Sequence, residues 1–174
     1  RKENTETTTD KSNKIKRKKS DKNFEVIHLI LYLCNMRIVI QRVSRASVTI
    51  NGHIKSAIGK GYMILLGITH NDTKEDADWL IKKVVGLRVF EDENGVMNLP
   101  ITDINGDILV VSQFTLMASY KKGNRPSYIH AASHDIAIPL YEYFCQAMSQ
   151  AIGKDIGTGE FGADMKVELI NDGP

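Results

Sequence analysis

Three polar side chains, Ser112, Gln113 and Thr115, interrupt an otherwise apolar run in the stretch VSQFTLMASYKKGNRPS, Val111 to Ser127. Either hydroxyl could attack an ester or amide. A hydroxyl nucleophile needs an adjacent base and an orienting acid, however, and no His or carboxylate lies close to them in the chain. A distant His could still be folded in beside them. If the strand continues through the motif, Ser112, Phe114 and Leu116 point one way and Gln113, Thr115 and Met117 the other, so the polar atoms cannot all share one solvent face. For an arbitrary strand the plain account would be an exposed edge. The next residues favour a cleft instead. Lys121, Lys122 and Arg125 beside Gly123 and Pro126 form a cationic rim that could meet phosphates, and a polar pocket with such a rim suits an RNA-linked substrate.

Other chemistry is poorly supported. His130 and His134 are spaced i, i+4 near the start of an expected helix, but they lack the Glu of an H-E-x-x-H pattern and have no cysteine nearby, so no metal site is expected. Gly59-Lys60-Gly61 lacks the spacing of a phosphate loop and reads as a turn.

The elements that must hold the motif come from hydrophobic patterning. A chain of 174 residues, 42% hydrophobic, fits one domain able to bury a core without metal or disulfide staples. Cys34 and Cys145 are the only cysteines, which points to a reducing compartment. Lys and Arg total 23 against 21 Asp and Glu, a near balance that hides a basic excess in the leader and in the loop after the motif. Residues 1–35 are expected to be a disordered or targeting-like extension. The first part is polar and without apolar period, and FEVIHLILYLC is too short for the ~20 residues of a bilayer span. A basic stretch before Val26 to Cys34 resembles the front of a signal peptide, yet no small-residue cleavage site follows, so Met36 is read as the start of the domain, with organellar targeting as the second reading.

From Met36 onward, MRIVIQRV and ASVTI alternate as strands, and Asn51-Gly52 marks a hairpin into HIKSAIG. Gly61 to Thr69 is a continuous apolar run, as expected of a central strand. NDTKEDADWLIKKVVGL follows as a helix with Asp72 or Thr73 as N-cap. Strands are then expected at LRVFED and DILVVSQFTL, a second helix capped by Ser133 across SHDIAIPLYEYFCQAMSQAI, and a closing strand at DMKVELIN. The fold class is α/β, a single domain over 36–174 with mostly antiparallel or mixed sheets and two main helices.

Several motifs in this order, VIQRVSRASV, GITHNDT, MNLPI, ILVVSQFTLMA, KKGNRPS, LYEYF and TGEFGADMKVELINDGP, resemble the D-aminoacyl-tRNA deacylases over nearly all of Met36 to Pro174. The resemblance implies layered α/β/β architecture, a homodimer with its cleft at the subunit interface, a D-aminoacyl-tRNA substrate, and neither metal nor organic cofactor. It assigns Ser112, Gln113, Phe114, Thr115 and Leu116 to the pocket for the aminoacyl group and terminal adenosine, and Phe161 and Met165 to the neighbourhood of the adenine. It makes Gly173-Pro174 a cis wedge that enters the other subunit's pocket and rejects L side chains by clash, with Arg42 holding that wedge. Glycine, having no side chain to exclude, would pass this filter, so glycyl-tRNA is an expected second substrate. The family pattern continues beyond Asn-x-Gly-Pro with one more residue, a Thr and a last apolar strand, none of which this sequence contains.

With no base evident for Thr115, the implied chemistry is substrate-assisted: the 2′-hydroxyl of the terminal ribose helps activate water, and backbone N–H groups around Phe114 and Thr115 steady the oxyanion. Thr115 as an acyl-accepting nucleophile is the competing scheme. Lys121, Lys122 and Arg125 become the tRNA contact, the expected location is the cytoplasm, and no membrane is involved. A reading from another class is a DNA- or RNA-binding module without turnover.

Overall fold

A computed structural model of the chain describes residues 35–121 and 123–173. The expectations placed on residues 1–34, on Lys122 and on Pro174 lie outside the described residues.

Alternating β-branched residues build β1, Arg37–Ile50, as a single strand of 14 residues rather than the two expected. At its end Asn51 and Gly52 take positive φ of 51° and 79°, and so turn the chain into β2, His53–Ile58. That is the backbone an Asn-Gly hairpin requires. After Gly59 and Lys60, β3, Gly61–Gly67, continues in the same register against β1, with Ala46 opposite Ile58 and Val43 opposite Gly61. Helix α1, Lys74–Val85, starts at Thr73, whose N–H and hydroxyl both donate to the Asp76 carboxylate, at 2.9 and 3.0 Å. Asp72 serves elsewhere. It is buried and accepts the Thr69 N–H at 2.6 Å, and burial pushes its carboxyl above the usual range.

The expected strand at LRVFED shrinks to β4, Phe90–Glu91, paired with β5, Met97–Leu99, in a separate ribbon. Then β6, Asp107–Ser112, lies parallel to β3 from Gly61 opposite Asp107 to Leu66 opposite Ser112. Helix α2, His134–Ile152, ends at Gly153 in left-handed geometry, and the short β7, Gly157–Thr158, which the patterning did not suggest, adds parallel to β6. The closing strand β8, Met165–Asn171, pairs with Val43–Ile50 of β1. One curved, mixed six-stranded sheet results, in the order β2-β1-β3-β6-β7 with β8 on β1.

Strand alternation divides the core between two faces of the sheet. Val43, Ala46, Val48, Met63, Leu109 and Val111 pack together on one, all nearly or fully inaccessible. Tyr62, Ile64, Leu66, Ile108 and Val110 occupy the other, and the Tyr141 hydroxyl of α2 docks there by donating to the Val110 carbonyl at 2.9 Å. Cys145 is buried nearby, its thiol pushed up to about 11 by desolvation, a packing residue rather than a reactive one. Among the described residues no helix is long and apolar enough to cross a bilayer.

The strand that carries the polar motif ends earlier than its apolar pattern suggests. Its pairing runs out at Leu66 opposite Ser112, and Phe114–Met117 forms a 3-10 turn. The alternation of Phe114 and Leu116 against Gln113, Thr115 and Met117 therefore does not hold beyond Ser112. Gly67 is the reason the turn fits: a Cβ there would stand 2.8 Å from Met117 Cε, 2.9 Å from Leu116 Cβ and 3.1 Å from the Gln113 carbonyl.

Candidate active site

Where β3 and β6 end, a cleft of about 870 Å³ opens between the 3-10 turn, the loop entering α2 and the segment leading into β8. Ser112, Gln113 and Phe114 lie on its wall together with Phe161 and Met165. The remainder mixes very short side chains, Ala131, Ala132, Ser133, Ala137, Gly162 and Ala163, with larger ones such as Leu66, Ile68 and Val167.

Backbone bonds fix this geometry. The Gln113 N–H donates to the Leu66 carbonyl at 2.7 Å, extending the β3–β6 pairing by one step before the chain turns. The turn's own bonds begin later, with Leu116 N–H to Gln113 O at 3.3 Å and Ala118 N–H to Thr115 O at 3.1 Å. A helical turn of this kind does not use its first N–H groups, so those of Phe114 and Thr115 are the ones it has no need of. Arg37 at the start of β1 clamps the turn from outside by donating to the Leu116 carbonyl at 2.9 Å. On the facing wall the Ala132 N–H donates to Ile68 O at 2.9 Å, and Thr69 bridges to Ala131. Asp72, holding the Thr69 N–H, thus props this wall.

The Thr115 hydroxyl accepts from Gln113 Nε2 at 2.6 Å. A side-chain amide cannot take up a proton, so this pairing orients the hydroxyl without activating it. Phe161 is held edge-on between His134 and Tyr141, with ring centroids 5.6 and 6.0 Å away. Outside the cleft, Ser119 and Ser127 exchange backbone bonds of 2.8 Å each, closing a hairpin whose loop carries Lys121 and Arg125, both exposed.

The remaining residues singled out from sequence lie apart from the cleft wall. Leu116 sits against Gly67 instead. Arg42, 8% exposed, extends its Nε toward the Asp172 carbonyl, gives Nη1 to the Val89 carbonyl at 2.5 Å, and lies 3.8 Å from Glu91. Gly173 adjoins it with a φ of 106°, a backbone that favours glycine, and a Cβ there would displace the guanidinium. Arg42 and Gly173 are therefore neighbours, and both lie apart from this chain's own cleft. His130 lies in the loop and only His134 on α2, so the two do not share a helix face.

Tyr128 is a wall residue that the sequence reading did not name, and His134, weighed there only as a metal ligand, is another on the wall. Tyr128 directly follows the RPS motif and is the detectable one, an aromatic adjoining a basic loop. His134 carried only its i, i+4 spacing, which pointed to a different chemistry.

Gly67→Ala is expected to push the turn outward, lowering kcat/KM about ten-fold and stability by about 1–3 kcal/mol, the range for overpacking a tight site. Thermal melting and steady-state kinetics on one preparation check it; full activity with an unchanged melting point would show that the turn yields freely.

The family model for D-Tyr-tRNA(Tyr) deacylase matches residues 39–174. A D-aminoacyl-tRNA deacylase of Phocaeicola vulgatus is 71% identical over 139 residues, covering 80% of this chain and 93% of that protein. One from Flavobacterium johnsoniae is 59% identical over the same length and coverage. A solved structure of a c-Myc DNA unwinding element binding protein superposes with a TM-score of 0.73 at 41% identity, over 79% of this chain and 93% of that one. A probable eukaryotic D-amino acid tRNA deacylase superposes with 0.70 at 18% identity, over 80% and 95%, which shows the shared fold.

Proposed function

Because the chain belongs to the D-Tyr-tRNA(Tyr) deacylase family, we propose that it hydrolyses the ester joining a D-amino acid to the terminal ribose of tRNA, releasing both. It is a hydrolase of translation quality control. The observation that carries this reading is the Ser112–Phe114 segment, where the chain leaves the sheet for the 3-10 turn and lines a cleft wide enough for an aminoacyl-adenosine.

In the proposed reaction Ser112 and Gln113 position the aminoacyl group, and Phe161 and Met165 border the adenine. The 2′-hydroxyl of the terminal ribose directs the attacking water, and the N–H groups of Phe114 and Thr115 receive the charge developing on the carbonyl oxygen. Leu116 supports the turn from behind. Selection against L-aminoacyl groups comes from Gly173 and Pro174 of a second copy, so the working unit is a homodimer with its site at the interface. The position of Gly173 beside Arg42, and a backbone there that favours glycine, support a fixed backbone segment at that point. Glycyl-tRNA passes the same filter. Lys121, Lys122 and Arg125 meet the tRNA backbone, the cytoplasm is the proposed location, and residues 1–35 form a separate extension to the domain over 36–174.

Favouring a second reading, nucleic-acid binding without turnover, is the solved relative named for a DNA element. One experiment separates them. Hydrolysis of D- and L-tyrosyl-tRNA is measured on the whole chain and on one lacking residues 1–35, with nucleic-acid affinity followed against salt. The deacylase reading expects kcat/KM for the D-ester at least about a hundred-fold above the L-ester, the reach of exclusion by a misfitted group, and expects it to survive the deletion. Absent turnover, with a steep salt-dependent affinity lost on deletion, would establish the binding module instead.

A further inference from the structure

The cleft wall continues into a surface that the proposed reaction does not use. Phe114 is 55% exposed and Tyr128 39%, and their rings meet edge to face with centroids 4.9 Å apart and planes at 76°. Such a pair locks two large apolar rings in place while leaving area uncovered. Tyr128 is the first residue after the Ser119–Ser127 closure, three positions from Arg125. Between Ser119 and Tyr128 the sequence holds Lys121, Lys122 and Arg125 and no Asp or Glu. An anchored aromatic beside a cationic loop is the composition of a single-stranded nucleic acid platform, on which a base stacks while the phosphates meet the cations. An isologous contact through the patch itself is disfavoured, because it would set two like-charged loops against each other.

We propose that Tyr128, braced by Phe114, stacks the base of the nucleotide that precedes the terminal adenosine, with Lys121 and Arg125 taking the phosphates flanking it. The inference rests on the deacylase reading and extends it outward from the ester. Ser112 and Gln113 hold the aminoacyl end, Phe161 and Met165 the last base, and Tyr128 the one before. The contact recognises the π face of a base rather than its edge, so it accepts tRNA ends irrespective of the identity of the stacked base. It commits the enzyme to single-stranded 3′ ends, since a paired base has no free face to offer.

A two-by-two kinetic cycle tests it. The substrates are D-tyrosyl-tRNA with an ordinary penultimate nucleotide and the same RNA with an abasic ribose there; the enzymes are the parent chain and Tyr128→Ala, with Tyr128→Phe as the conservative control. Stacking predicts that Tyr128→Ala raises KM about ten-fold on the ordinary substrate, and that Tyr128→Phe stays near the parent. It also predicts that the abasic substrate raises the parent's KM by a similar factor, and that the two losses do not add when combined. Additive losses, an unchanged KM in Tyr128→Ala, or a Phe variant as impaired as the Ala variant would overturn the proposal. So would a Tyr128→Ala chain whose sedimentation shifts while its KM does not, the mark of a contact between copies. Failure of the parent chain to cleave D-tyrosyl-tRNA at all would instead overturn the deacylase reading, and that outcome is visible in the same assay.

Discussion

Removing only the 2′-hydroxyl from the terminal adenosine of D-tyrosyl-tRNA is expected to slow hydrolysis by roughly a hundred- to ten-thousand-fold, the contribution of a positioned proton-transfer group. Thr115→Ala, by contrast, is expected to keep kcat within about ten-fold of the parent, the loss of a positioning contact rather than of the reacting group. The contrast follows from one hydrogen bond. Thr115 Oγ1 is engaged by the Gln113 amide at 2.6 Å, a partner that can orient it but cannot carry away its proton. What the protein supplies at this point is a pair of backbone N–H groups at the start of the 3-10 turn, suited to an oxyanion and not to base catalysis. In the proposed reaction the substrate therefore directs the water, through the vicinal hydroxyl next to the ester. Single-turnover rates on matched ribo and deoxy substrates decide it: a dead alanine variant with normal turnover of the deoxy substrate would make Thr115 the nucleophile.

Arg42→Ala is expected to lower the melting temperature by about 10 °C and to narrow the preference for D over L esters at least about ten-fold. The stability part follows from what the guanidinium holds. Its Nε faces the Asp172 carbonyl and its Nη1 the Val89 carbonyl, both part-buried, and leaving such an acceptor without a donor costs toward the lower end of about 1–3 kcal/mol each. The nearby Glu91 adds little, since its side chain is 59% exposed and stands 3.8 Å away. A total near 3 kcal/mol is about 10 °C for a domain of this size. The selectivity part follows because Asp172 leads directly into Gly173, which packs on the same guanidinium. Arg42→Lys should regain part of the stability but little of the selectivity, because one ammonium cannot reach both carbonyls from a fixed planar fork. A lower melting point with the D-to-L ratio intact would leave Arg42 a structural residue and remove the wedge from the account.

Patterning made most of the sheet legible. The buried run Gly61–Gly67, the Asn51-Gly52 hairpin and both helices lie where period and capping put them, because each is decided by local residues. The failures have a common cause. Nothing within VSQFTL shows that pairing stops at Ser112, since that is decided by where β3 ends and by Gly67 admitting the turn, some 45 residues earlier in the chain. β7 is likewise set by a partner far off in the chain, β6, and its two residues have no period to read. At the site, family motifs identified Ser112 to Phe114, Phe161 and Met165, whereas Tyr128 and His134 reach the cleft only because Thr69 bridges to Ala131 and draws the loop across.

The cleft wall formed by Ala131, Ala132, Gly162 and Ala163 has an evolutionary corollary. At these four positions any larger side chain would fill part of the cleft rather than reshape it, so this stretch of the wall offers few single steps by which drift could retune what it accepts. Sequence elsewhere in the domain is free to wander as long as the path of the chain is kept. Changing the substrate of such a pocket would call for an insertion, a deletion or a shifted loop, which arise more rarely than substitutions.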